Sequence, residues 1–203
     1  MIDEGYIKFE SHWRRTAPLQ NAEIEMLNRW RRPLYDAGLI GHLEEQGIGF
    51  GNLSVRIAED GQFIISGSQT GHIADLGAEH YALVDDFDIE QNRVSSRGAH
   101  EASSESLTHA AIYSLDPKIG AVVHVHSQTL WTVLMESAAT TAADVAFGTP
   151  EMAQEFLRLW RETDFPQTGI AVMAGHESGL VSIGSELRQA AERILAINRE
   201  LAS

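Results

Sequence analysis

Chemistry is read most directly from His124 and His126, which sit one residue apart in Ala121-Val122-Val123-His124-Val125-His126-Ser127. The neighbouring valines are β-branched, and Pro117 and Gly120 punctuate the approach, so the run reads as a buried strand. Side chains alternate faces along a strand, so both imidazoles point one way, about 7 Å apart at Cα. Such a pair can share one metal ion, although two polar residues on a solvated sheet face would show the same pattern. A third candidate ligand, His176, stands in Ala174-Gly175-His176-Glu177-Ser178-Gly179, where an expected strand ends and the chain turns. No second histidine follows it at helical spacing, so this is not a zincin motif.

Glu105 follows Ser103 and Ser104 at the expected start of a helix, where the positive end of the dipole favours a carboxylate. The two serines are ordinary capping residues, and a helix start lined with hydroxyls is equally a seat for phosphate. His109 lies four residues beyond Glu105 on the same helix face and reads as core or as support to the site, not as a ligand.

The elements that must position these groups can be placed along the chain. Residues 1–19 form an extension without a clear pattern. Asn21 can cap a helix carrying Ile24, Leu27 and Trp30, which Pro33 should kink or end. Gly47, Gly49 and Gly51 lead into a strand at Asn52-Leu53-Ser54-Val55-Arg56, with a turn at Glu59-Asp60-Gly61 and a return strand at Phe63-Ile64-Ile65. The small-residue loop Ser66–Gly71 follows. Tyr81–Val84 and Ile89–Val94 read as strands joined by a solvated turn at Asp85–Asp88, whose spacing is not that of an EF-hand. A helix runs from Ser103 to Asp116-Pro117, and Thr149-Pro150-Glu151 has cap, N1 proline and first-turn acid in place for another. Gly169–Met173 and Leu180–Ile183 read as a hairpin, and a terminal helix carries Leu187, Ala191, Ile194, Leu195 and Leu201. Strands flanked by helices at start, middle and end imply an α/β fold, with a mixed sheet covered on both faces in a single domain over 1–203.

Composition narrows the function classes. The chain has 203 residues, no cysteine and a formal net charge of −14. Thiolate nucleophiles and cysteine-bearing zinc sites are excluded, which leaves His, Asp and Glu as strong metal ligands. The acidic balance argues against nucleic acid and anionic membrane as partners. Met1-Ile2-Asp3-Glu4-Gly5 shows no basic segment before an apolar run, and no stretch approaches membrane-spanning length, so the expectation is a soluble, cytoplasmic protein.

Taken in order, Gly51-Asn52-Leu53-Ser54-Val55-Arg56, Ser103-Ser104-Glu105 with His109 and Tyr113, His124-Val125-His126, Phe147-Gly148-Thr149-Pro150-Glu151 and His176 together resemble the class II aldolase/adducin family over roughly residues 20–200. The resemblance implies a three-layer α/β/α fold with a central mixed, largely antiparallel sheet. It implies Zn2+ or another divalent ion on His124, His126 and His176, with Glu105 as the acid/base group. It also implies a phosphate seat at Asn52, Ser103 and Ser104, built from amides and hydroxyls, which suits an acidic protein. Three neutral imidazoles would leave coordination positions open to a hydroxy-carbonyl substrate and its enediolate, with Glu105 moving the proton.

The activity so implied is that of a lyase on a small sugar phosphate or hydroxy-carbonyl compound, in a homo-oligomer with a tetramer favoured. A sugar-phosphate epimerase or a methylthioribulose-phosphate-type dehydratase on the same scaffold are alternatives. A non-catalytic adducin-like interaction module is another, though it would need neither the three histidines nor Glu105. Four features depart from the familiar pattern. Glu177 replaces the glycine after the third histidine, the Ser66–Gly71 loop lacks threonine-proline character, the Ser127–Ala146 segment is short, and the chain stops soon after its last helix.

Overall fold

The structure is a computed structural model that describes residues 5–20, 22–43, 47–58 and 60–202. Asn21, Glu59 and Met1–Glu4, on which the cap, the first hairpin turn and the leader reading rest, lie outside these. In chain order the strands are β1 (Glu10–Arg15), β2 (Gly41–Leu43), β3 (Ile48–Phe50), β4 (Asn52–Arg56), β5 (Phe63–Ser66), β6 (Tyr81–Asp88), β7 (Arg93–Gly98), β8 (Ala121–His126), β9 (Ala139–Thr140), β10 (Ile170–Val172) and β11 (Gly179–Gly184). The helices are α1 (Glu23–Asp36), α2 (Ser106–Leu115), α3 (Gln128–Leu134), α4 (Pro150–Glu162), α5 (Phe165–Thr168) and α6 (Leu187–Ala202).

Among the described residues, nine strands form one sheet in the order β1-β7-β6-β5-β4-β8-β11-β10-β9, while β2 and β3 make a separate small sheet. The outermost pairs, β1 with β7 and β9 with β10, are parallel and every other pairing in this sheet is antiparallel. The sheet is therefore mixed and largely antiparallel. Val122 packs in one core with Leu107, Ile112, Met152 and Phe156, from α2 and α4. Val123 and Val125 pack in the other with Leu27, Leu34, Leu130 and Ile194, from α1, α3 and α6. Helices thus cover both faces, as the α/β/α expectation requires. Burying each such aliphatic side chain contributes about 1.5–3 kcal/mol relative to exposure.

Several boundaries depart from the sequence reading. The N-terminal extension supplies β1, an edge strand held to β7 by pairing remote in sequence, with Phe9 buried just before it. Asp85–Asp88 is strand, not turn, and the reversal falls at Ile89–Asn92. Arg14 and Arg97 approach Asp85 at 3.5 Å each, and Arg93 lies 3.5 Å from Asp86, so arginines of β1 and β7 answer the acids. Pro33 does not end α1, which continues to Asp36. Leu201 is 42 % exposed and does not join the apolar face of α6. Thr149 caps α4 as expected, its hydroxyl accepting from the Met152 amide at 3.3 Å.

Candidate metal centre

β8 is flanked on both sides, by β4 with Asn52 opposite His124 and by β11 with Val181 opposite His124 and Gly179 opposite His126. This central position makes His124 1 % exposed and places it, with His126, on the side of the sheet that carries α2 and α4. His176 is brought to the same place by the turn between β10 and β11. Its amide donates to the Met173 carbonyl at 3.0 Å and its carbonyl accepts from Gly179 at 2.8 Å. A Cβ on Gly179 would sit 3.0 Å from His176 Nδ1, and one on Gly175 would fall 1.9 Å from the Val145 carbonyl oxygen, so this turn needs both glycines.

One nitrogen from each of the three imidazoles lies within 4.8 Å of the others. His124 Nδ1 is 3.1 Å from the Leu180 carbonyl, which accepts its proton and leaves Nε2 with its lone pair turned inward. That Nε2 is 3.0 Å from His126 Nε2. Burial first, then the neighbouring His126 and His176, hold His124 well below the usual histidine range and so in the neutral form that ligates. Three imidazoles converging without a thiolate suit zinc or a similar divalent ion, with metal–nitrogen bonds of about 2.0–2.1 Å. The donor set therefore fits such an ion.

Glu105 is 2 % exposed, and its Oε1 lies 3.4 Å from His176 Nδ1. It occupies the N-cap position of α2, one residue before the helix expected to include it, because its backbone at φ −91 and ψ 5 is not yet helical. Its amide donates to Ser103 Oγ at 3.3 Å, and its carbonyl accepts from the His109 amide at 3.0 Å. The serine segment is clasped in turn by the Ser66–Gly71 loop, where the Ser68 amide donates to the Glu101 carbonyl at 2.9 Å. Behind that loop Arg31, 1 % exposed, donates from Nη2 to the Thr70 and Ile73 carbonyls at 2.9 and 2.5 Å.

His109 is a core residue, as its spacing suggested. Its Nδ1 lies 2.7 Å from Ser54 Oγ, which is 2.8 Å from the Tyr113 hydroxyl. Burial pushes the His109 pKa down to about 3 and raises that of Tyr113. Asn52, Ser103 and Ser104 are 5–6 % exposed and lie around the histidines and Glu105 by register and sequence.

A cleft of ≈ 660 Å³ opens onto the cluster, lined among others by Lys8, Phe50, His126, Phe147, His176 and Glu177. The Phe147 ring stacks on His176 at 4.3 Å between centroids, and Phe50 lies 5.4 Å from His126. Glu177 faces this cleft as an exposed carboxylate, whereas Asn52, Ser103, Ser104 and Glu105 do not line it. The sequence reading missed Lys8 and Phe50. The alternation of apolar Ile7 and Phe9 with Lys8 and Glu10 was the available signal for the first.

A sheet of this order sandwiched between helices, with a trihistidine cluster beside a buried carboxylate, makes this an α/β/α protein with a cluster that could hold a metal ion. Residues 39–202 match the Class II Aldolase and Adducin N-terminal domain, and the chain belongs to that family. A methylthioribulose-1-phosphate dehydratase of Gluconobacter oxydans (strain 621H) is 39% identical over 79 residues, a stretch covering 38% of this chain and 34% of that protein. The matched stretch thus spans about a third of the length of this curated relative. The sugar-phosphate aldolase of Thermotoga maritima superposes with a TM-score of 0.66 at 16% identity, covering 88% of this chain and 91% of that one. The L-fuculose-1-phosphate aldolase of Thermus thermophilus does so with a TM-score of 0.63 at 20% identity, covering 90% and 92%. At these identities the likeness is one of fold. Among the described residues, no helix is long and apolar enough to cross a membrane.

Proposed function

We propose that this protein is a divalent-metal-dependent lyase that cleaves or forms a carbon–carbon bond in a small hydroxy-carbonyl compound, such as a sugar phosphate. The observation that carries the reading is the buried convergence of His124, His126 and His176 with a carboxylate, Glu105, 3.4 Å from one of them. A divalent ion held there, zinc being the simplest choice, supplies Lewis-acid stabilisation of negative charge developing on a carbonyl oxygen. His126 and His176 present the open side of the site to the cleft, so substrate enters past Phe50 and Phe147. Glu105, held at the helix cap and screened from water, takes the proton from the carbon beside the carbonyl and returns it. Asn52 Oδ1 is buried without a hydrogen-bond partner, as expected of a side chain awaiting a ligand, and with Ser103 and Ser104 it forms the phosphate seat. The same reading makes the chain one domain of a cytoplasmic homo-oligomer, with a tetramer favoured.

Dehydration is the second reading, and the 39% identity to a methylthioribulose-1-phosphate dehydratase favours it. It uses the same abstraction by Glu105 of the proton beside the carbonyl, but the electron pair so released expels a β-hydroxyl, which leaves as water, where in the aldolase it forms the carbon–carbon bond to an aldehyde. Exchange of a dihydroxyacetone phosphate α-proton with deuterated water, followed by NMR, separates the two. The lyase reading expects wild-type exchange that falls about 10²–10⁴-fold in Glu105→Gln, which keeps its shape but cannot accept the proton. Metal-loaded protein that gives no exchange, yet releases water from methylthioribulose 1-phosphate, would transfer the assignment to the dehydratase. Neither reaction with metal bound would refute both readings.

A further inference from the structure

We propose that Lys8, carried into the cleft by the N-terminal segment, is a specificity residue that binds an anionic group of the substrate on the cleft side of the metal centre. The inference rests on the metal-centre reading above and adds a substrate feature that it does not specify. Lys8 lies outside the family-matched residues 39–202, so this contribution comes from the chain's own N-terminal segment.

Its position is built. Phe9 is buried in the core beneath the sheet, and Ile7 packs against the same core. Asn92 Nδ2 donates to the Lys8 carbonyl at 2.9 Å, and the Glu10 amide donates to the Asn92 carbonyl at 2.7 Å, so β1 enters its pairing with β7 at Glu10, directly after Phe9. With both neighbours fixed, the side chain projects over the cleft. Lys8 Nζ stands 3.5 Å from the centroid of the Phe147 ring, and Phe147 stacks on His176 at 4.3 Å. The ammonium is therefore one aromatic ring away from a ligand of the metal. A cation held against a ring face is partly desolvated, which strengthens its pull on an anion nearby.

Charge makes the placement consequential. The chain carries a formal net charge of −14, a field that disfavours anionic small molecules unless a local cation offsets it. Lys8 is the one lysine or arginine among the described residues lining the cleft, where Glu177 supplies a carboxylate. The buried amide and hydroxyl groups of Asn52, Ser103 and Ser104 do not line this cleft, so Lys8 serves a different part of the substrate. Phosphate and carboxylate are both met by a lysine ammonium, and both are tested below.

The experiment is calorimetric titration of the zinc-loaded full chain with three hydroxamates, which mimic a hydroxy-carbonyl chelate. Acetohydroxamate is neutral, succinohydroxamate carries a carboxylate and phosphoglycolohydroxamate carries a phosphate. Lys8→Met keeps the aliphatic stem and removes the charge. It should weaken at least one anionic hydroxamate by about 5–10-fold while leaving acetohydroxamate unchanged, and Lys8→Arg should retain most of the affinity. The probe that responds identifies the group as carboxylate or phosphate. Anionic probes that bind wild type and Lys8→Met equally, with acetohydroxamate still bound, would overturn the role of Lys8 and leave the metal centre standing. A parallel loss for all three would overturn it as well, by reducing Lys8 to a structural support. Failure of acetohydroxamate to bind wild type would overturn the metal-centre reading and this inference with it.

Discussion

His109→Gln tests the buried polar network behind the metal centre through the pH dependence of stability. The imidazole is fully buried, its Nδ1 is bonded to Ser54 at 2.7 Å, and its pKa is pushed down to about 3 from 6.5 by burial. Between these values the unfolded chain takes up a proton that the folded chain refuses. Stability is therefore complete above the unfolded pKa and falls as pH drops through this window. One proton corresponds to a slope of about 1.4 kcal/mol per pH unit, and the whole window to roughly 4–5 kcal/mol. His124, also depressed, adds a slope of the same sign in metal-free protein, but it is present in both chains and cancels in the comparison. Glutamine can keep the bond to Ser54 and does not titrate. Urea unfolding of chelator-treated wild type and variant, from about pH 7 to about pH 4.5, should give free-energy curves whose slopes differ by about 1 kcal/mol per pH unit. The absolute offset between the curves carries no weight, since the amide also changes packing. Parallel curves would refute a neutral, buried His109.

Two further outcomes are expected. Gly175→Ala puts a Cβ 1.9 Å from the Val145 carbonyl oxygen and must move backbone next to His176. It should destabilise the fold by about 1–3 kcal/mol in thermal or urea unfolding and weaken metal binding, and an unchanged metal affinity would separate this turn from the site. Light scattering at micromolar concentration should report a homo-oligomer, the tetramer being expected, and a monomer would contradict the assembly proposed.

The parts of the site legible in the sequence are those whose local pattern survives packing. The β-branched run around His124 and His126 marked β8 because a fully buried strand leaves little else to choose. Thr149-Pro150-Glu151 marked α4 because capping is a property of adjacent residues. His176, by contrast, reached the other two through a glycine turn and pairing across β11, and only the ordered resemblance to a family joined them beforehand. β1 was illegible because an edge strand rich in charge is held by partners remote in the chain, with Glu10 opposite Arg93 and Arg15 opposite Gly98. Asp85 and Asp86 read as turn residues for the same reason, since the arginines that answer them lie on other strands, β1 and β7. Arg31 gave no signal at all. A guanidinium on the buried face of α1 breaks the usual pattern, and only the carbonyls of Thr70 and Ile73 explain it.

The central claim is that three histidines hold one divalent ion, and elemental analysis of purified protein tests it most directly. Wild type should carry close to one equivalent of zinc or a similar metal per chain. His124→Ala, His126→Ala and His176→Ala should each lose most of it, because each removes one of three ligands. His109→Gln, lacking any ligand role, should retain it. Unchanged metal content in all three alanine variants would contradict the account.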